Sequence, residues 1–299
     1  MKLLPTSFLP RLMSTFLLWA LIAVVVVKKS ENGYALLIAI AALGSLWEYF
    51  WLLRVANIPR HWSLGYASGI VLLGGNFWLL RTSSSSDFFL REGSVFIFES
   101  MLLAILLLLL FIKTLFSSKP HRKAADAIAF TLLGIIYIPW LFSFVIKIIY
   151  LTPRTSEGLL TGHYYALFLL VVTKFTDVGA FISGSLLGRS PFFTHISPRK
   201  TREGCLGALC FAILSGYLFF HCFEHQLSLL RPVTVLIISL VLGMAAILGD
   251  LAESLLKRTL QTKNSSDTLP GIGGGLDLID SILFTAPLFY FILLGILFL

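Results

Sequence analysis

Apolar residues run in long blocks along this chain and do not alternate with polar ones. A helix needs about 20 mostly apolar residues to cross a bilayer. Nine such blocks follow one another, at residues 8–27, 34–53, 63–80, 94–116, 127–149, 162–183, 205–222, 232–249 and 279–299. Each predicts a transmembrane helix; the third, rich in Gly and Ser, is the weakest. Nearly every position within a block is apolar, so periodicity does not say which helix faces which. Pro139 and Pro287 fall inside two blocks and are expected to kink them. The first block is long enough to span. It lacks a small-residue cleavage site followed by a polar domain, so it reads as a first transmembrane helix and not as a leader.

Composition agrees with a lipid solvent. The 299 residues are 57% hydrophobic and 13% charged, with a mean hydropathy of +0.90. A soluble domain carries roughly 25% charged residues, so too little charge is present to cover a wet surface. The net charge of +8 is spread along the chain, which speaks against a nucleic-acid partner. Its use is topological. With nine spans, the side that holds the N-terminus and the loops after spans two, four, six and eight carries 14 Lys and Arg, against 7 on the other. That side is therefore read as cytoplasmic. The three cysteines, Cys205, Cys210 and Cys222, form no CxxC pair and read as small apolar residues.

The expected fold is an all-α polytopic integral membrane protein, with about nine transmembrane helices and a polar active site on the cytoplasmic face. Residues 1–150 read as N-terminal transmembrane helices and residues 151–299 as the catalytic transmembrane region. Two loops, 184–204 and 250–278, are long, polar and Gly-rich, and both fall on the cytoplasmic side. Function concentrates in such loops.

The densest cluster is Asp250, Glu253, Ser254, Lys257, Arg258 and Lys263, then Pro270 to Gly275, then Asp277 and Asp280. If the eighth helix continues to residue 260, Asp250, Ser254, Lys257 and Arg258 share one face. Asp277 and Asp280, at i and i+3, share a face of the last helix. Carboxylates from two segments with cations between them suit a divalent metal holding phosphates. Lys and Arg neutralise the remaining phosphate charge, and glycines such as Gly273 and Gly274 let backbone approach it. Carboxylates beside an apolar helix are expensive and mark function. Upstream stand Asp177, Gly179, Gly184 and Gly188, then Ser197, Arg199, Lys200, Thr201, Arg202, Glu203 and Gly204. The hydroxyls and cations of this run suggest a phosphate-gripping loop, and Lys174 and Asp177 are placed to pair. Glu48, Glu99 and Lys174, the remaining intramembrane charges, read as packing or lining groups, with Glu48 and Glu99 candidates beside a lipid route. No histidine pair has metal-ligand spacing.

The run Ser254-Leu-Leu-Lys257-Arg258, Lys263, Pro270-Gly271, Gly273-Gly274, Leu276-Asp277 and Ile279-Asp280-Ser281 resembles, without a gap, the signature of the phosphatidate cytidylyltransferases, or CDP-diacylglycerol synthases. Asp177 to Phe181, Gly184, Gly188 and the run from Ser197 to Gly204 resemble that family's second block. Together these cover residues 174–281, about a third of the chain. The resemblance implies a membrane enzyme of phospholipid biosynthesis in a bacterial inner membrane. CTP and phosphatidate would give CDP-diacylglycerol and pyrophosphate, with Mg²⁺ and a second cation as cofactors, and a homodimer is part of the same implication. By motif position, Asp250 and Asp277 are implied as metal ligands, with Asp280 close by. Ser197, Lys200, Ser254, Lys257, Arg258 and Lys263 are implied to contact nucleotide or lipid phosphates, with Thr201, Gly273 and Gly274 lining the substrate site.

Four positions depart from the common pattern. Asn264 stands where an Asp is usual, Ile272 in place of a His, Leu278 in place of an Arg, and Arg202 in place of a Trp. None of the four inherits the family role, and no obligatory histidine base is available. Two other classes compete. A CTP-dependent polyprenol kinase would transfer the γ-phosphate instead. A transporter would show internal repeats and a polar cluster at the midplane; no repeat is found, and the cluster lies at one face. The DG-x-x-A-R motif of CDP-alcohol phosphotransferases is absent.

Overall fold

The structure is a computed structural model that describes residues 8–82, 88–116, 121–152, 161–193, 197, 200–260 and 274–298. Ten α-helices account for nearly all of them: α1 Phe8–Val27, α2 Glu31–Val55, α3 Trp62–Thr82, α4 Phe88–Leu115, α5 His121–Ile135, α6 Leu141–Leu151, α7 His163–Leu187, α8 Arg202–Cys222, α9 Pro232–Thr259 and α10 Gly275–Phe298. Among the described residues no strand forms, only one antiparallel bridge between Pro191 and Thr201. Eight segments are long and apolar enough to cross a membrane. They correspond to the second through ninth expected spans; the first is the 20-residue α1. Backbone amides and carbonyls have no water partner in hydrocarbon, so a helix, which satisfies them internally, is the form these blocks must take. The outer surface is apolar to match: Phe96, Phe181 and Val233 are each 70% or more exposed. The chain is an all-α polytopic membrane protein.

α5 and α6 make one span, joined by a π-helical turn at Ile136–Trp140 that contains Pro139. Proline lacks an amide hydrogen and its ring collides with the carbonyl four residues back. The wider turn takes up that misfit where the sequence predicts a kink. Pro287 lies inside α10, which runs unbroken through it.

The chain divides into two compact units, Met1–Ile146 with Leu260–Ile279, and Lys147–Thr259 with Asp280–Leu299. In the first, α2, α3, α4 and α5 pack through buried polar pairs as well as apolar contact. The Tyr49 hydroxyl on α2 donates to the Phe130 carbonyl on α5 at 2.8 Å. The His61 amide donates to Thr131 Oγ1 at 2.9 Å. Glu99, 5% exposed on α4, accepts from Asn76 Nδ2 on α3 at 2.6 Å and from Trp140 Nε1 at 3.1 Å. That carboxylate ties two helices to the π turn.

In the second unit, small residues set the helix spacing. A Cβ at Gly179 would meet the Phe211 side chain, and one at Gly207 would meet Ser183 and, at 3.1 Å, the Gly179 carbonyl. Such residues let helices approach where lipid supplies no hydrophobic drive. α8 meets α9 in the same way: a Cβ at Gly216 would strike Ser239, and one at Gly243 would lie 2.9 Å from the Ala212 Cβ. α7 and α10 share the Phe168–Phe289 ring pair at 5.5 Å and a hydroxyl pair, Thr173 with Thr285, at 3.1 Å.

Gly207→Val is expected to destabilise the protein by about 1–3 kcal/mol, the usual cost of overpacking. Gly44→Ala, at a position with open space around it, should leave stability unchanged or raised. Thermal unfolding in detergent distinguishes the two; equal melting temperatures would remove the close-packing account of α7 and α8.

Candidate active site

α9 runs ten residues past Gly249, beyond its apolar stretch, so Asp250, Glu253, Ser254, Lys257 and Arg258 stand on a continuous helix. Glycine at 249 decides what they face. A Cβ there would lie 2.7 Å from the Asp280 carbonyl oxygen and 2.9 Å from the Ser281 Cα. The α9 backbone therefore lies directly against α10, and the acidic groups on either side of the crossing converge. Oxygens of Asp250, Glu253 and Asp280 all lie within 4.8 Å of one another. Glu253 and Asp280 are buried, and Asp250 is half-buried.

Three cations attend these carboxylates. Lys200 Nζ pairs with Asp250 Oδ2 at 2.5 Å, and Lys257 Nζ with Glu253 Oε1 at 2.5 Å, one helical turn along α9. On α7, Lys174 pairs with Asp177 at 3.4 Å. Asp177 also accepts from the Ser281 hydroxyl at 3.4 Å, which links α7 to α10 beside the cluster. Lys174, Asp177 and Asp250 all lie within electrostatic reach of Asp280. Buried like charges in such number stand only where cations or donors match them. The Lys200–Asp250 pair also brings the loop after α7 to the C-terminal part of α9.

The loop that carries Lys200 has its own architecture. Phe192 N donates to the Lys200 carbonyl at 2.7 Å, and Arg202 N to the Ser190 carbonyl at 2.9 Å, around the Pro191–Thr201 bridge. Thr201 is the N-cap of α8: its hydroxyl accepts from the Gly204 amide at 3.1 Å. The Glu203 carboxylate accepts from the amides of Arg189, at 3.1 Å, and Ser190, at 3.2 Å. Gly188 and Gly204 leave room for the Thr201 side chain. Ser197 is half-buried, and its carbonyl accepts from Lys200 N at 3.1 Å. Much of this run thus builds the loop that delivers the Lys200 ammonium.

In the first unit, the start of α10 is closed by two carboxylates. Asp277 Oδ2 accepts from the Gly274 amide at 3.0 Å, the reach-back half of a capping box. Glu48 of α2, 2% exposed, accepts from the Leu276 amide at 3.1 Å.

Of the residues expected from sequence, Asp250 and Asp280 come together, and Lys200 joins them. Ser254 and Arg258 lie on the same stretch of α9, half-buried and exposed. Lys257 sits against Glu253, a residue of the cluster that was not expected as a ligand, although its i+3 spacing from Asp250 puts the two on one face. Asp277 and Gly274 form the α10 cap. Lys263 and Gly273, with the departures Asn264 and Ile272, lie outside the described residues. Glu48 was expected as a packing or lining group. Its carboxylate is joined to an amide 228 residues away, and a lone acid in an apolar block was its one local signal.

Three carboxylates with lysines beside them, toward the end of membrane-spanning helices, are the donor types that divalent-cation and phosphate chemistry uses. Comparison with known proteins narrows that class. The Cytidylyltransferase family profile matches residues 10–296. Similar proteins include the phosphatidate cytidylyltransferase of Bacillus subtilis (strain 168), 36% identical over 262 residues, or 86% of this chain and 87% of that protein. That of Staphylococcus saprophyticus is 37% identical over 179 residues, 60% of this chain and 64% of its own. That of Chlamydia trachomatis serovar D is 38% identical over 137 residues, 44% of each. The chain belongs to the Cytidylyltransferase family and is a nucleotidyltransferase.

Glu203→Ala should open the 189–201 loop without unfolding the helices. Limited trypsin digestion at Arg189 measures this, and the variant is expected to be cut faster than the native protein. An unchanged cutting rate would show that the carboxylate does not clamp the loop.

Proposed function

We propose that this protein transfers the cytidylyl group of CTP to phosphatidate, giving CDP-diacylglycerol and pyrophosphate for phospholipid synthesis. The observation that supports it most is the convergence of Asp250, Glu253 and Asp280 with Lys200 and Lys257 inside the region that resembles the family signature. The active face is the cytoplasmic side of a bacterial inner membrane, where CTP is found and where the Lys and Arg excess points.

Three carboxylates within mutual reach form a hard oxygen donor set of the kind that holds Mg²⁺ together with substrate phosphates. Asp250, Glu253 and Asp280 are the residues assigned to it. The ion would supply neutralisation of phosphate charge. The protein's own groups do the rest. Both substrates are anions, so repulsion between them is the first barrier. Lys200, Lys257 and Arg258 offset it and hold the phosphates in place. Ser254 and Ser197 offer hydroxyl donors to phosphate oxygens. A phosphatidate oxygen attacks the α-phosphorus; the new P–O bond forms as the bond to the β-phosphate oxygen breaks, and pyrophosphate leaves with that electron pair. A phosphate monoester has a second pKa of about 6, so the attacking oxygen is already largely ionised at neutral pH. No general base is required, in keeping with isoleucine at 272. The acyl chains stay in lipid while the head group meets the polar end of the helices.

The test is transfer of label from α-³²P-CTP to lipid by purified protein in detergent, with phosphatidate and Mg²⁺. Label in the organic phase is the expected result. Label left as CDP beside a phosphorylated lipid would favour γ-phosphate transfer instead. Asp250→Asn and Asp280→Asn are each expected to lower turnover at least about a hundredfold and to raise the Mg²⁺ requirement. Normal kinetics in either would remove that residue from the metal set. Asp277→Asn tests the α10 cap: hydrogen exchange of the Gly274 amide should quicken, and an unchanged rate would show that this carboxylate does not hold the turn.

A further inference from the structure

Glu48 is a carboxylate on an apolar span, 2% exposed, far in sequence from every motif. Its carboxylate faces the start of α10. Its Oε2 accepts from the Leu276 amide at 3.1 Å. A Cβ at Gly274 would collide with the same carboxylate, and one at Gly275 would stand 3.3 Å from Ser45 Oγ and 3.5 Å from Glu48 Oε2. Ser45 and Glu48 are i and i+3, on one face of α2. The first turn of α10 therefore rests its backbone on that face with no side chain between. Glycine at 274 and 275 is what the approach requires.

The first amides of a helix have no intrahelical acceptor and carry the positive end of its dipole. In an apolar setting they need an acceptor from elsewhere. Asp277 serves the Gly274 amide; Glu48 serves the Leu276 amide. Leu276 directly precedes Asp277 and stands four residues before Asp280. Any rotation or fraying of this turn moves both carboxylates.

We propose that Glu48 is a positioning residue for nucleotidyl transfer: by capping the buried first turn of α10 it fixes the register of the helix that carries Asp277 and Asp280. This rests on the proposed function for its kinetic consequence but not for its structural one. Outer groups that orient ligands typically contribute about 10–100-fold to metal affinity or activity.

The experiment compares Glu48→Gln, Glu48→Ala and Gly274→Ala, made in the full chain, in two independent readouts. Hydrogen exchange of the 274–281 amides should quicken in Glu48→Ala and stay near native in Glu48→Gln, whose amide oxygen still accepts. In the transfer assay, Glu48→Ala should lose about 10–100-fold in kcat, with the Mg²⁺ requirement raised and the CTP KM little changed; Glu48→Gln should recover most of it. Gly274→Ala should be impaired alone and no worse than Glu48→Ala when the two are combined, since the collision partner is gone. Unchanged exchange in Glu48→Ala overturns the proposal whatever the activity. So does a Glu48→Gln variant as impaired as Glu48→Ala, because the charge itself would then be acting. A native protein that transfers no label, with exchange behaving as expected, overturns the proposed function and leaves the positioning role standing.

Discussion

Charge inside hydrocarbon has to be matched, and that one requirement organises this protein. Four of the carboxylates described above are met by a donor or cation of their own unit: Glu99 by Asn76 and Trp140, Glu48 by the Leu276 amide, Asp177 by Lys174 and Ser281, Asp250 by Lys200. Apolar side chains facing lipid cannot tell one helix arrangement from another, because lipid is as good a neighbour as a second helix. Polar pairs can, since an unmatched partner is costly. The acids fasten helices in the first unit and, on the proposed function, are the working groups of the second, and the physical rule is the same.

The spans were legible because lipid imposes a length and a composition that soluble proteins do not obey. So was the composition of the polar cluster, because Asp250, Lys257 and Asp280 are conspicuous at the ends of apolar blocks. What the blocks conceal is partnership. Nothing local to Glu48 says that it meets Leu276, and nothing local to Gly249 says that Asp280 lies against it. Glu253 stands three residues from Asp250 in the same dense cluster, but spacing alone gave it no role of its own. Pro139 announced a distortion, but whether a proline yields a kink or a π turn depends on the packing of the turn around it.

The upstream run shows how one motif can hold two kinds of information. Ser197 to Gly204 reads as a phosphate grip because hydroxyls and cations alternate there. In the fold, Thr201 is committed to an amide, Glu203 to two amides, and Gly204 to close contact with α7. Among the described residues of the run, Lys200 carries its charge to the acidic cluster. Residues that build a loop and residues that act from it are interleaved, and chemistry-bearing side chains alone do not separate them.

The π turn at Ile136–Trp140 has a consequence for the span that contains it. A helix of 3.6 residues per turn advances about 100° for each residue. The wider turn absorbs what amounts to one extra residue, so the faces of α6 are phased against those of α5 by that angle. Loss of a single residue between 136 and 140 would let ordinary helical bonding close over the gap. Trp140 would then swing away from Glu99, and the buried Phe142 and Phe144 would turn with it. In a span where almost any apolar residue can replace another, the number of residues between Glu99's partner Trp140 and α5 matters more than their identity: a change of letter leaves the phase of α6 intact, and a change of count does not.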